Sequence, residues 1–377
     1  MALVLNEEQQ LLKDSAKSFF SESSPVEAFR KLRDNGKEWS PELWSSMAGM
    51  GWAGIAVPEE HGGLGFGYVG AGLLLEEAGR TLAASPLLSS ALVCSSLITA
   101  LGNESQKQEL LPAIASGESI LALALNESTR LDPSATATTA TVAGQGHVLS
   151  GRKIHVIDGA IAKAYLVVAR TGGAPGDPVG LGVFVVDRDA KGLIASHDRD
   201  LDNRLATDLH LDAVRVGPEA LLGKPGSAWE ALQRTLDIGA ACQAAELLGI
   251  AGEAFERTLG YLKERKQFGL PIGSFQALQH RAALLFCELE LSRSAVLKAL
   301  QAIDQDSADT SMLSSMAKVK AGRTAQLAVN EAVQMHGGIG MTDEFDIGFF
   351  MKRAAAARQD YGDHYYHVDR FAQLRGY

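Results

Sequence analysis

Arg265-Lys266-Gln267-Phe268-Gly269 and, further along, Gln334-Met335-His336-Gly337-Gly338-Ile339-Gly340 are the stretches on which the reading of this chain turns. The first sets a guanidinium, an amide and a ring at the end of a helical pattern. The second closes a helix with glycines, where backbone free of side chains can come close to a ligand. Alone, Arg265 reads as a surface cation at a helix end and the glycines as a helix stop. Together the two stretches suit a large, flat, phosphate-bearing cofactor.

On either side of these stretches the chain is helical. Ser227-Ala228-Trp229-Glu230 has the pattern of a capping box opening a long helix toward Arg265. Helical spacing continues through Phe275 to Ile303, Thr310 to Met335 and Phe345 to Leu374, and four such helices pack as an up-down bundle. Upstream the period changes. Ile120 to Leu125, Thr136 to Val142, His147 to Ser150, Lys153 to Ile157, Tyr165 to Arg170, Gly182 to Val186, Leu209 to Leu211 and Val214 to Val216 are short runs separated by Gly, Asp and Pro. They predict a small antiparallel barrel or sandwich. Before them, Asn6 with Gln9 three positions on opens a helix carrying Leu11, Leu12, Ala16, Phe19 and Phe20. Further helical patterns cover Pro41 to Met50, Leu73 to Leu82, Pro86 to Leu101 and Ser105 to Ser116. The fold class expected is α+β in three domains: an all-helical domain over 1–118, a central β domain over 119–222 and a helical bundle over 223–377.

With 377 residues, 46% of them hydrophobic and 21% charged, the chain can bury a large core without a metal or disulfide. Cys94, Cys242 and Cys287 are far apart with no C-x-x-C spacing, as expected of reduced core residues. A formal net charge of -10 argues against nucleic acid as a partner, and phosphates need only a local basic cluster. Neither a signal-peptide pattern nor a long apolar run is evident, so a cytoplasmic protein without membrane insertion is expected.

In this order, within a chain that is helical, then strand-rich, then helical, the two stretches resemble the acyl-CoA dehydrogenase family of flavoproteins, and the resemblance covers nearly the whole chain. It implies FAD lying between subunits, and oxidation of an acyl-CoA to its 2,3-enoyl form. A carboxylate takes the α proton while the β hydrogen leaves as hydride to flavin N5. It also implies an electron-transfer flavoprotein or similar acceptor, and a homodimer, homotetramer or heteromer with a related chain. By the match, Arg265, Gln267 and Phe268 (R-x-x-F-G) and Gln334, Gly337 and Gly338 (Q-x-x-G-G) reach the cofactor of a neighbouring subunit.

Three stretches depart from the family pattern. Where the family has T-E-P-x-x-G-S-D, this chain reads Asn126-Glu127-Ser128-Thr129-Arg130-Leu131-Asp132-Pro133, so Asn126 takes a cofactor-facing position without the glycine-rich turn. Where W-I-T-N-G meets the flavin ring, His155-Val156-Ile157-Asp158-Gly159 puts His155 for an aromatic and Ile157 for a hydroxyl. The third departure is at the base. The common Tyr-Glu-Gly corresponds to Asp360-Tyr361-Gly362-Asp363-His364; counting from Arg353 puts Gly362 at the Glu position, and counting from Arg370 puts Asp363 there. The alternative helix position falls on Gly239, with Asp237 roughly 200 degrees around the helix and Glu246 two turns on. Asp363 is the candidate base, and equally the N-cap of a helix starting at His364. The departures open a second expectation: a supporting subunit that donates FAD contacts to a partner chain but is catalytically incomplete by itself. A flavin-dependent oxidase or monooxygenase is a third.

Overall fold

The structure, a computed structural model, describes residues 3–377. Helices α1 (Glu7–Ser23), α2 (Val26–Asp34), α3 (Pro41–Gly49), α4 (Tyr68–Thr81), α5 (Ser95–Leu101) and α6 (Glu104–Ala115) come first. Strands β1 (Leu121–Ala124), β2 (Thr139–Ala143), β3 (Gly146–Val156), β4 (Ala164–Arg170), β5 (Leu181–Asp187), β6 (Leu193–Arg199), β7 (Leu205–Val216) and β8 (Leu221–Leu222) follow. Then come α7 (Trp229–Glu264), the short strands β9 (Lys266–Gln267) and β10 (Leu270–Pro271), and α8 (Gln276–Asp304), α9 (Thr310–His336), α10 (Ile347–Ala357) and α11 (His364–Leu374). The fold is the expected one of N-terminal helices, a central sheet and a C-terminal helical bundle.

The chain forms two compact units, and the division falls inside α7, after Gly239. One unit holds the chain up to Lys37, Tyr68–Ala84 and Ala240–Tyr377. In it α1 starts as expected, with Gln9 N–H on the Asn6 side chain at 2.8 Å and the Gln9 side chain back on Asn6 N–H. α4 borrows its cap: Asp304, at the end of α8, accepts from Tyr68 N–H at 2.6 Å and Val69 N–H at 3.0 Å. α4 and α7 cross with almost no gap. A Cβ on Gly249 would stand 1.9 Å from the Glu76 carbonyl oxygen, and one on Gly79 would stand 2.4 Å from that of Glu246. Gly249→Ala therefore should lower the unfolding free energy by about 2 kcal/mol through overpacking, measured by denaturant melts against Gly260→Ala, where nothing lies within 4 Å.

The expected last helix, Phe345 to Leu374, is broken into α10 and α11. Tyr361 and Gly362, at φ +55° and +103°, cannot continue a right-handed helix. The helix after Ser227 also starts differently from the capping-box expectation. Its first residue is Trp229, and the Ser227 hydroxyl donates to Lys224 O at 2.9 Å.

The other unit holds Glu38–Gly67 and Ser85–Gly239. Its sheet runs β6-β7-β3-β2-β4-β5-β8, with β1 beside β4. It is not antiparallel throughout, because β1 and β2 both run parallel to β4, at Ala164 to Val167 and at Arg170. The chain thus leaves the β4 edge after Ala124 and rejoins it at Thr139, throwing out the Asn126–Pro133 stretch as an excursion. Ala122, Leu149, Tyr165, Phe184, Leu209 and Val214 fill the core on one face. β3 joins two of the expected runs across a register shift at Gly151. β6 was not foreseen, because it is nearly all exposed and carries no apolar alternation. Pro58 to Gly63 is a tight turn: Gly62 has φ +81°, and a Cβ on Gly63 would meet Val57 O at 2.0 Å. Among the described residues no helix is long and apolar enough to cross a membrane.

Candidate functional site

Arg265 to Ile272 form a small hairpin beyond the end of α7. Leu270 pairs with Gln267 and Pro271 with Lys266, leaving Phe268-Gly269 as a two-residue turn with φ +54° and +80°. Positive φ at both positions is the hairpin turn that matches strand twist, and it needs glycine or a tolerated strain. Phe268 carries that strain and is 90% exposed. The ring lies edge-on to Phe275, with centroids 6.2 Å apart, and otherwise faces outward. The Arg265 guanidinium is exposed and has no hydrogen-bond or ion-pair partner among the described residues. The Gln267 side chain reaches only Lys266 O, at 2.9 Å.

The second motif lies at the same end of the bundle. Tyr261, one turn before Arg265, stacks on His336 with ring centroids 4.4 Å apart, so the ends of α7 and α9 meet. Gln334 and Gly337 through Ile339 are exposed there, Gly337 at φ +65°, and a Cβ on Gly337 or Gly338 would find open space. Packing therefore does not explain these glycines; Gly337 is explained by its backbone and Gly338 by neither. His336 itself faces inward. Its Nδ1 bonds Ala332 O at 2.7 Å, and burial keeps the ring neutral.

In the other unit, Lys153 is fully buried and its ammonium donates to Glu127 Oε1 at 2.6 Å and Leu125 O at 3.1 Å. Burial pushes Lys153 down to about 8, against the pull of the Glu127 charge. Glu127 also accepts from the amides of Ala137 (2.7 Å) and Thr138 (3.0 Å), tying the two ends of the excursion together. Asn126 is left with its side-chain oxygen buried and without a hydrogen-bond partner. His155 sits at φ +50°, its amide on Asp208 Oδ1 at 3.0 Å and its Nδ1 3.7 Å from Asp200. Ile157 is half-buried and has no polar side-chain atom to offer.

The third place is the turn between α10 and α11. Asp363 caps α11: its Oδ1 accepts from Tyr366 N–H at 2.8 Å. Gly362 has no room for a side chain, since a Cβ would lie 2.6 Å from the Tyr366 ring and 2.7 Å from His367 Nε2. Glu246 is buried and spoken for, accepting from Arg353 Nε at 2.7 Å and Gln243 Nε2 at 2.6 Å.

The acyl-CoA dehydrogenase C-terminal domain matches residues 226–372, and the N-terminal domain of the same family matches residues 6–118. The chain belongs to the acyl-CoA dehydrogenase family. It is 32% identical over 360 residues to a probable acyl-CoA dehydrogenase, YngJ, of Bacillus subtilis, covering 94% of each chain. In structure it is similar to butyryl-CoA dehydrogenase of Megasphaera elsdenii, with a TM-score of 0.93 and 26% identity over all of both chains. It is also similar to a chain of a variant of the Tcur3481-Tcur3483 steroid ACAD, with a TM-score of 0.86 and 32% identity over 98% of each.

Acyl-CoA dehydrogenases bind FAD, and this chain's residues suit it. The unpartnered Arg265 guanidinium matches a pyrophosphate. The open backbone at Gly337 and Gly338 admits close approach, and the orphaned Asn126 oxygen awaits a donor. His155 fits less well, being engaged with acidic neighbours. Lys153, Lys318 and His367 were missed by sequence reasoning. A signal for Lys318 was present: on α9 it stands among Ser314, Ser315, Ala321 and Gly322, a buried small-residue face where a lysine is out of place.

Proposed function

We propose that the chain acts in FAD-dependent α,β-dehydrogenation of an acyl-CoA thioester to the 2,3-enoyl-CoA, presenting Arg265, Gln267, Phe268, Gln334, Gly337 and Gly338 to a flavin bound together with a second subunit. The observation that carries this reading is the hairpin. At the end of the bundle stand a guanidinium without a hydrogen-bond or ion-pair partner among the described residues and a ring at positive φ that touches its own chain only edge-on at Phe275 and is 90% exposed. When bound, FAD supplies the two-electron acceptor, and an electron-transfer flavoprotein or similar carrier reoxidises it. The protein holds and orients the cofactor, Asn126 offering an acceptor while His155 and Ile157 stand near it. Asp363 removes the α proton in the self-sufficient form of this reading.

A second form is favoured by the turn itself, where Gly362 is closed to any side chain and the Asp363 carboxylate caps a helix. In that form the chain is a supporting subunit and a related partner chain supplies the base. Its similarity to the steroid ACAD chain, whose name joins Tcur3481 and Tcur3483, supports this form and a bulky ring-bearing ester as substrate.

Purification of the chain alone, with its absorption spectrum and light-scattering mass, tests both forms. A yellow dimer or tetramer with one FAD per chain supports self-sufficiency, and a colourless or half-occupied protein supports a missing partner. A stable FAD-bound monomer at micromolar concentration would overturn the shared-flavin reading. Oxygen consumption in place of dye reduction would point to an oxidase.

A further inference from the structure

Val26 is the only buried residue of α2, so core packing accounts for little of where this helix lies. Its arginines reach instead for the segment that leads from the glycine end of α9 into α10. Arg33 makes a bidentate pair with Asp343, from Nη1 at 2.5 Å and from Nη2 at 2.9 Å. Arg30 spans two carboxylates, donating to Asp343 at 3.3 Å and to Asp346 at 2.7 Å. From α7, Arg257 closes on the other oxygen of Asp346 at 3.1 Å. The Phe349 ring, in the first turn of α10, lies under both α2 guanidiniums, 4.5 Å from that of Arg30 and 4.7 Å from that of Arg33. A lone exposed ion pair holds little, but a bidentate pair within a network stacked on a ring keeps its geometry. The Arg33 hydrogen bonds hold the Asp343 carboxyl below the usual carboxylate range.

The stretch between α9 and these carboxylates needs such a hold. Freezing glycine costs more conformational entropy than freezing any other residue, and Gly337, Gly338 and Gly340 all stand here. Gly337 has φ +65° and ψ -142°, and a Cβ on Gly337 or Gly338 would meet nothing. From Gly337 to Met341 only Gly340 is buried. Packing therefore fixes little of this stretch, and its two ends must do so. Upstream stands His336, stacked on Tyr261 and tilted on Phe345 with centroids 4.8 Å apart. Downstream Thr342 folds back, its amide and its hydroxyl both on Ile339 O, at 3.1 and 2.9 Å. The next residue is Asp343, in the grip of α2.

We propose that Arg30 and Arg33 are positioning residues for the cofactor, which act through Asp343 and Asp346 to fix the backbone of Gly337 and Gly338 in the form that admits a flavin nucleotide. This rests on the reading of those glycines as facing the cofactor. It gives α2 a part in cofactor retention that its own sequence does not announce, since its arginines act through carboxylates far along the chain.

Two readouts on the FAD-loaded assembly test this: amide hydrogen exchange across residues 337–346, and the rate of FAD dissociation followed by flavin fluorescence after dilution. In Arg33→Gln and in Asp343→Asn, both exchange across that stretch and FAD dissociation should quicken about tenfold, the scale of one charge-assisted hydrogen bond. Exchange in the middle of α9 and the denaturant midpoint of the apoprotein should stay as in the parent. The double variant should lose FAD no faster than the poorer single variant, because both changes remove one contact. FAD dissociation at the parent's rate in both single variants would overturn the proposal, whatever the exchange shows. Additive losses in the double variant would overturn it too, as would a fall in the apoprotein midpoint matching the loss of FAD, which would make α2 a structural prop alone. A parent that takes up no FAD in any assembly would sink the cofactor reading and the proposal with it. That failure is read from the parent alone, so it is distinct from failure in the variants.

Discussion

Arg265→Ala should weaken FAD retention by about 10- to 150-fold. That range corresponds to losing a charge-assisted contact to the pyrophosphate worth roughly 1.5 to 3 kcal/mol. The expected effect is this clean because the exposed guanidinium has no hydrogen-bond or ion-pair partner among the described residues for the substitution to disturb. Unfolding free energy should therefore move by no more than about 0.5 kcal/mol, as for an ordinary surface substitution. Flavin released on gel filtration, read by absorbance against protein, measures the first effect, and a denaturant melt of the apoprotein the second. In a mixed assembly the flavin lost is the one held mainly by the partner chain. Flavin content equal to the parent in every assembly state would remove the hairpin from the cofactor site.

The glycine end of α9 was legible because its chemistry is local: glycines closing a helix advertise a special backbone in the letters themselves. The hairpin at Phe268-Gly269 was not foreseen, its flanking strands being only two residues each. The layers were legible for a similar reason, since long helical periods survive averaging over many residues. What stayed hidden depends on partners distant in sequence. The α4 cap is supplied by Asp304, the Asn126 excursion is tied by Lys153 through Glu127, and the last helix is broken by a turn whose carbonyls are taken up by Lys318 and His367. The first two of these contacts and that of Lys318 join residues 26 to 236 positions apart, and only His367, six residues from Tyr361, lies near its partner along the chain. The three-domain division of 1–118, 119–222 and 223–377 remains a proposal of the same kind, drawn from changes of period along the chain.

Burial also explains why the polar residues that sequence reasoning favoured differ from those the fold uses. Arg265 and Gln334 were singled out by pattern, and both lie exposed. Lys153 and Lys318 are buried lysines that the interior must satisfy: Lys153 by the Glu127 carboxylate and one carbonyl, Lys318 by two backbone carbonyls, which carry no sequence signature.

The same turn carries the prediction with the sharpest alternative outcomes. If Asp363 abstracts the proton, Asp363→Asn should keep the fold and FAD, still bind enoyl-CoA, and lose flavin reduction by a factor of about 100 or more, as expected of a positioned base. If Asp363 serves only the Tyr366 amide, asparagine caps nearly as well, and both stability and any activity should survive. Anaerobic flavin bleaching with a panel of acyl-CoA esters separates the two. A mutant that bleaches as fast as the parent makes Asp363 structural. Gly362 has no side chain with which to take over, and Glu246 is held by Arg353. With those positions closed, a parent that bleaches with no ester would place the carboxylate on another chain, and the supporting-subunit form would follow.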